Sequence, residues 1–186
     1  MKKVVVMASG EGSNFSAIVN SGIEVAQLIS DNKNANVLKR AEKVGVETRL
    51  LTPDRGREEH EKRISFVMPE DTELVVLAGY MRIFSPWFIE RWKNKIVNIH
   101  PSLLPAFGGG CHAIRDAWKY GCIAFGITVH WVTEEVDAGP IIEQRAIHKF
   151  DNDTLETLTD IIHSVDLYTY PAVINNILQG DFICGQ

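Results

Sequence analysis

Apolar and polar positions fall in short blocks that alternate between two periods along this chain. Residues 3–8 form a nearly continuous apolar run, as expected of a strand in a parallel sheet covered on both faces. Asn14 then stands where a side chain caps a helix over 15–21. The same alternation continues with a strand at 24–30 and a helix at 36–44 that Gly45 stops. A short strand at 47–51 follows, and the charged run 55–63 leads into a helix ending near Met68-Pro69, since proline restricts the residue before it. The most apolar strand is 74–78. Ser85 before Pro86 reads as an N-cap with proline at the first helical position, opening a helix to Trp92. A fifth strand covers 96–100, and a helix covers 112–120. Two β-rich segments, 124–132 and 140–147, joined by 133–139, read as a hairpin. Asp153 caps a last long helix that runs, with a break at Pro171, to about Gln179.

That order predicts an α/β, doubly wound, mostly parallel sheet with a β-hairpin addition and a long C-terminal helix. With 186 residues and 45% hydrophobic content, one domain spanning 1–186 can bury roughly 70% of its unfolded surface. Neither a repeat nor a low-complexity linker interrupts it. The net charge of −5 speaks against nonspecific binding to nucleic acid or to an anionic membrane. No apolar run approaches the roughly 20 residues of a membrane span. The start imitates a signal peptide, but its apolar run is short and a Gly-rich loop replaces the cleavage site. Cys111, Cys122 and Cys184 show no disulfide pattern and fit a reducing, cytoplasmic setting. No metal spacing appears among the cysteines and histidines, so no metal is expected.

Ligands of doubly wound sheets bind beyond the carboxyl ends of the strands, and three polar segments fall there: 9–14, 79–82 and 98–100. In Ser9-Gly10-Glu11-Gly12-Ser13-Asn14 the glycines let backbone approach an anion and helix N–H groups donate to it. A plain tight turn is about as good a reading of this loop alone. A dinucleotide fingerprint wants a third glycine where Phe15 stands, although Asp31 lies near the place of a ribose-binding acid. A Walker loop would need a Lys-Ser/Thr pair, which is missing.

The third segment carries the most chemistry. Asn98 and His100 stand two residues apart, which on a strand puts both side chains on one face. An amide N–H and an imidazole side by side can donate to an oxygen gaining charge in a transition state. A carboxylate beside that imidazole favours its protonated form and can relay a proton through water. Either residue alone is better read as satisfying backbone groups at a strand end.

Taken together, Asn98-Ile99-His100-Pro101-Ser102-Leu103-Leu104-Pro105 and the later stretch from Gly126 to Pro140, ending Asp137-Ala138-Gly139-Pro140, resemble the two signatures of the folate-dependent formyltransferases. The likeness runs from Val4 to about Pro171 and is greatest to members that formylate glycinamide ribonucleotide in purine synthesis. It implies a Rossmann-like formyltransferase fold, glycinamide ribonucleotide as substrate and 10-formyltetrahydrofolate as co-substrate, with no tightly bound cofactor and a monomer or homodimer. By the same resemblance Asn98, His100 and Asp137 are catalytic. Gly12, Ser13 and Asn14 hold the phosphate. Asp166 stands where the family often has a glutamate that meets the ribose hydroxyls. Arg57, Met81, Arg82, Ile83 and Phe84, with Asn98 and Glu134, Glu135, Val136 and Asp137, contact the folate, and His112 supports the centre.

The plainer readings are a solvated Arg57, ordinary loop packing for Met81 and Ile83, and an exposed salt bridge for Arg82. His60, His148 and His163 carry no functional argument. His130 alternates along a strand and reads as structural. Between Pro105 and His112 the chain has Ala106-Phe107-Gly108-Gly109-Gly110-Cys111, one residue longer than the family pattern. Other readings are a formyltetrahydrofolate hydrolase, whose relatives carry an N-terminal regulatory domain for which a strand at residue 3 leaves no room, and a methionyl-tRNA formyltransferase, which adds a tRNA-binding domain. A noncatalytic nucleotide- or folate-binding module is the alternative from another class.

Overall fold

The computed structural model describes residues 3–54 and 56–182. Cys184 lies outside them. Strands and helices follow one another as β1 Lys3–Met7, α1 Ser13–Asn20, β2 Val25–Ser30, α2 Asn36–Lys43, β3 Thr48–Leu50, α3 Arg57–Val67, β4 Thr72–Leu77, α4 Pro86–Arg91 and β5 Ile96–His100. The chain continues through α5 Ala113–Tyr120, β6 Ala124–Trp131, β7 Ile141–His148 and α6 Leu155–Gln179. The strand order is β3-β2-β1-β4-β5-β6-β7. This is the α/β, mostly parallel arrangement expected from the alternating pattern, with an antiparallel hairpin and a long last helix. Two compact units divide the chain after Asn98.

In the first unit β1 pairs in parallel with β2 and β4, β2 with β3, and β4 with β5. Val4, Val5, Val6 and Met7 are fully buried, which is why this run reads as unbroken rather than alternating. The loops that leave β1 and β4 are laced together. Ser9 N–H donates to the Gly79 carbonyl at 3.1 Å, and Met81 N–H donates to Ser9 Oγ at 3.0 Å.

Helix α1 begins earlier than a cap at Asn14 would have it. Its N-cap is Gly12, at φ 78°, with no side-chain hydrogen bond, so Ser13 and Asn14 are already helical. Glycine takes this left-handed conformation without steric cost. A side chain would also have no room, since a Cβ on Gly12 would lie 2.5 Å from Val37 Cγ2. Ser85 caps α4 as expected: its Oγ accepts from Phe88 N–H, with Pro86 at the first helical position. The buried Glu61 carboxylate accepts from both Ser85 N–H and Ser85 Oγ.

In the second unit β6 and β7 pair antiparallel, with Phe125 opposite Ile147 and an irregularity between Val129 and His130. Ala117, Phe125, Ile127, Leu158 and Ile162 form its buried core, joining α5, β6 and α6. His112 is the N-cap of α5 rather than its first helical residue. The cap of α6 is Thr154, not Asp153. Thr154 Oγ1 accepts from Thr157 N–H, and Thr157 Oγ1 accepts from Thr154 N–H in a reciprocal capping box. Asp153 turns back instead and accepts from Phe150 N–H at 2.8 Å. Helix α6 also runs through Pro171 without the expected break. Proline removes one helical hydrogen bond there. Tyr170, Pro171, Val173 and Ile174 are all buried, and their packing keeps the helix continuous through the defect.

Candidate active site

Asn98 and His100 occupy the carboxyl end of β5, and their spacing places them on one face of the strand. His100 is buried, and both of its ring nitrogens meet oxygen. Nδ1 lies 3.3 Å from Asp137 Oδ2, and Nε2 lies 3.0 Å from the Phe107 carbonyl. Asp137 comes from the loop between β6 and β7 and takes a left-handed φ of 54°. The same carboxylate has a second imidazole beside it: His130 Nε2 is 3.6 Å from Asp137 Oδ1. Gly109 N–H donates to Asp137 Oδ2 at 2.8 Å. The hydrogen bond with His130 is the main cause holding the Asp137 carboxyl below its ordinary value. Burial works the other way, while Gly109 N–H and the charge of His100 add to the depression. A carboxylate so placed stays ionised and can orient an imidazole or pass a proton by way of water.

The segment after His100 is fastened from below. Thr128, fully buried on β6, donates through Oγ1 to the Ser102 carbonyl at 2.7 Å and accepts from Leu104 N–H at 3.0 Å. Gln144 Nε2 on β7 donates to the Leu104 carbonyl at 3.0 Å and to Thr128 Oγ1 at 2.9 Å. The second sequence motif therefore supplies Asp137 and also the hydroxyl that holds the first motif in place. Gly139 closes the Asp137 loop, because a Cβ there would run into the Trp131 carbonyl.

Sequence reasoning gives Thr128 and Gln144 no role and reads His130 as structural, whereas the fold sets His130 beside the Asp137 carboxylate. All of β6 from Phe125 to Trp131 is buried, so alternation along it distinguishes nothing. The pairing of His130 with Asp137 is a product of the folded β6–β7 loop that the residue types around His130 do not encode. The only available signal was its place inside the second motif.

Ser13 and Asn14 form the first turn of α1 after Gly12, where backbone N–H groups lack helical partners. Asn14 Oδ1 is buried without a hydrogen-bond partner. Asn36 Nδ2 donates to Glu11 Oε1 at 2.8 Å, tying this loop to α2. Arg57 is exposed at the first position of α3. After β4, Met81 and Ile83 are 72% and 59% exposed. Phe84 is buried instead, stacked between Tyr80 and Phe88 at centroid distances of 5.6 and 4.3 Å, so its ring serves the core. Arg82 pairs through Nε with the buried Asp31 at 2.6 Å. Asp31 is thus engaged by an arginine of its own unit, which further weakens its reading as a ribose-binding acid of a dinucleotide site. His60 Nε2 meets Tyr80 Oη at 2.9 Å; burial lowers the first group's pKa and raises the second's.

In the second unit Glu134, Glu135 and Val136 are exposed along the Asp137 loop. His112 is exposed at the start of α5. Asp166 on α6 is buried, its Oδ1 has no hydrogen-bond partner, and burial pushes its carboxyl up to about 7. No helix among the described residues is long and apolar enough to cross a membrane.

An ionised carboxylate set between two imidazoles is an arrangement that can take up and release protons. Residues 2–174 match the model of the formyl transferase family. The chain belongs to that family. It is 40% identical to phosphoribosylglycinamide formyltransferase of Bacillus subtilis (strain 168), over 96% of this chain and 95% of that protein. It is 37% identical to the trifunctional purine biosynthetic protein adenosine-3 of Gallus gallus, spanning 99% of this chain and 19% of that longer protein. Among solved structures, phosphoribosylglycinamide formyltransferase from Bacillus halodurans superposes with a TM-score of 0.92 at 39% identity, covering 100% of both chains. The enzyme of the same name from Streptococcus pneumoniae TIGR4 gives 0.90 at 36% identity, over 96% of this chain and 99% of that one.

Proposed function

We propose that this chain transfers the formyl group of 10-formyltetrahydrofolate to the amine of glycinamide ribonucleotide in purine synthesis, and that its residues 1–186 act as one formyltransferase domain. The observation that carries the reading is the Asp137 carboxylate set between His100 and His130 in a family member. The names and near-complete overlap of its relatives support the choice of substrate.

In this reaction the substrate amine attacks the formyl carbon and the carbonyl π pair moves to oxygen. Asn98 and His100 donate to that oxyanion. Asp137, through water, takes the proton from the attacking nitrogen and helps deliver one to the departing folate nitrogen. Collapse of the intermediate re-forms the carbonyl and breaks the bond to folate, so nothing is left on the enzyme. Gly12, Ser13 and Asn14 take the phosphate at the start of α1. Asp166, neutral over much of the range up to about 7, can donate to a ribose hydroxyl as well as accept from one. Arg57, Met81, Arg82, Ile83 and the backbone at Phe84, with Asn98 and residues 134–137, hold the folate, while His112 supports the centre. Folate is a co-substrate in this scheme and no metal takes part. Work in the cytoplasm, without nucleic acid or membrane, completes the proposal.

The decisive experiment follows folate deformylation and formylated product together, with and without ribonucleotide. Consumption that requires the ribonucleotide and yields product mole for mole is expected, because positioning the amine supplies roughly 7–11 kcal/mol that free water lacks. Rapid formate release without ribonucleotide, unaltered by adding it, would make the enzyme a hydrolase.

A further inference from the structure

The loop between Pro105 and His112 touches both members of the His100–Asp137 pair with its backbone. The Phe107 carbonyl lies 3.0 Å from His100 Nε2, and Gly109 N–H lies 2.8 Å from Asp137 Oδ2. A carbonyl only accepts, so His100 Nε2 carries a proton and donates it there. The loop reaches these positions through left-handed residues: Phe107 at φ 56° and Gly109 at φ 75°, facing Asp137 at φ 54°. Glycine adopts such angles freely, whereas a phenylalanine does so only when its surroundings impose them. Here the Phe107 ring meets Tyr120 edge-on, at a centroid distance of 6.1 Å, and packs against the core of the second unit. Between the two contacts Gly108 lies close against the carboxylate's own side chain, since a Cβ there would stand 3.4 Å from Asp137 Cβ and 3.1 Å from Leu104 Cδ2.

We propose that the backbone of Phe107 and Gly109 is a positioning element for the reaction, fixing His100 through Nε2–H and Asp137 through Oδ2 so that the Nδ1 edge of the imidazole serves the reacting oxygen. This rests on the reading of His100 and Asp137 as the reacting pair. A neutral imidazole whose Nε2–H is held by a carbonyl presents Nδ1 as an acceptor, and only the protonated ring presents N–H on both edges. In either form the held Nε2 leaves one ring orientation open. Without the Phe107 carbonyl the ring can turn over or shift its proton, and the Nδ1 edge is then presented only part of the time. The Nδ1–Asp137 distance of 3.3 Å is long for a charge-assisted hydrogen bond. That length leaves the Nδ1 edge less tightly engaged than the Nε2 edge, which meets the Phe107 carbonyl at 3.0 Å. The ring of Phe107 is then the anchor and its carbonyl the working part.

The test separates ring from carbonyl. Phe107→Gly, Phe107→Ala and Phe107→Val all delete the aromatic ring, but they differ in tolerance of a left-handed backbone, from free to strongly disfavoured. Turnover is expected to fall in that order, with the valine variant about 10–100-fold below the glycine variant in kcat, the scale of a small misplacement at a reacting group. KM for the ribonucleotide should change little across the series. Nitrogen NMR of the histidine rings in the free protein supplies a readout that does not need turnover. The protonated, hydrogen-bonded Nε2 signal of His100 should persist with glycine and be lost with valine. Should the valine variant fail to fold, Gly109→Ala takes its place, because its Cβ meets nothing within 4 Å and only the backbone angle is strained. Its kcat should drop with the ribonucleotide KM kept. Equal kcat and equal His100 signals across glycine, alanine and valine would overturn the proposal. Signals that move while kcat stays level would instead sink the assignment of His100 to the reaction, and the positioning role with it.

Discussion

At the scale of single residues, Asp137 shows how far a motif carries and where it stops. Asn98, His100 and Asp137 were legible because three functional groups sit in two recognisable runs of sequence. His130 was not, because a histidine on a strand buried along both faces looks like any core residue. Its hydrogen bond is nonetheless the main cause of the low Asp137 pKa. Replacing it, His130→Phe, leaves burial to act with less opposition, so the carboxyl titrates at higher pH. Activity that depends on the carboxylate should then be lost at a higher pH on the acid side, and kcat/KM against pH reads this directly. An acid limb unmoved in the folded variant would remove His130 from the centre. Asp166 has the opposite sign. Its carboxyl is pushed up to about 7 by burial, so between the unfolded value of 3.8 and about 7 the folded chain holds a proton that the unfolded chain has released. Stability therefore falls as pH rises through that window, by at most roughly 1.4 kcal/mol per pH unit from this one group. Asp166→Asn should flatten that slope and gain relative stability toward pH 8, as urea melts across pH 5–8 would record. A slope that survives the substitution belongs to other groups.

At the scale of elements, nearly every strand and helix was visible, and the errors gathered at helix ends. Asn14 and Asp153 are good capping residues by type, yet the chain uses Gly12 and Thr154. In both places two cap-forming residues lie close together, and local preference does not rank them. Gly12 wins because Val37 leaves no room for a Cβ and the backbone turns left-handed. Thr154 wins because Thr157 sits three residues on and answers its hydrogen bond. Thr154→Ala should cost about 1 kcal/mol of stability, within the range of roughly 0.5–2 for such caps. In a chain of this size that is about 2–4 °C in Tm. Asp153→Ala should cost less, since it removes only a turn contact with Phe150. A larger loss from Asp153 than from Thr154 would restore the cap the sequence pointed to. Pro171 is the lesson in the other direction. A proline inside a helical pattern normally ends it, but the burial of Pro171 with Tyr170, Val173 and Ile174 outweighs one missing hydrogen bond.

At the scale of the whole molecule, the alternation of apolar runs and amphipathic stretches fixes an α/β sheet, and the carboxyl ends of its strands say where to look for a ligand. What a substrate does there is a property of the folded chain, so its binding is felt as global stability. A ligand that binds only the folded state at a hundred times its Kd adds about 2.7 kcal/mol. For 186 residues this predicts a rise in Tm of about 5–11 °C with glycinamide ribonucleotide. If the first turn of α1 holds the phosphate, the riboside lacking it should give little or no rise at the same concentration. Gly12 is a poor place to test this, because any side chain there collides with Val37 and damages the fold itself. Ser13 is exposed, so Ser13→Ala should leave the unliganded Tm within about 1 °C while shrinking the shift given by the ribonucleotide. The shift caused by a formylfolate analogue should stay as it was. Equal shifts from ribonucleotide and riboside would take the phosphate away from this loop and leave Gly12 with a purely structural reason for being glycine.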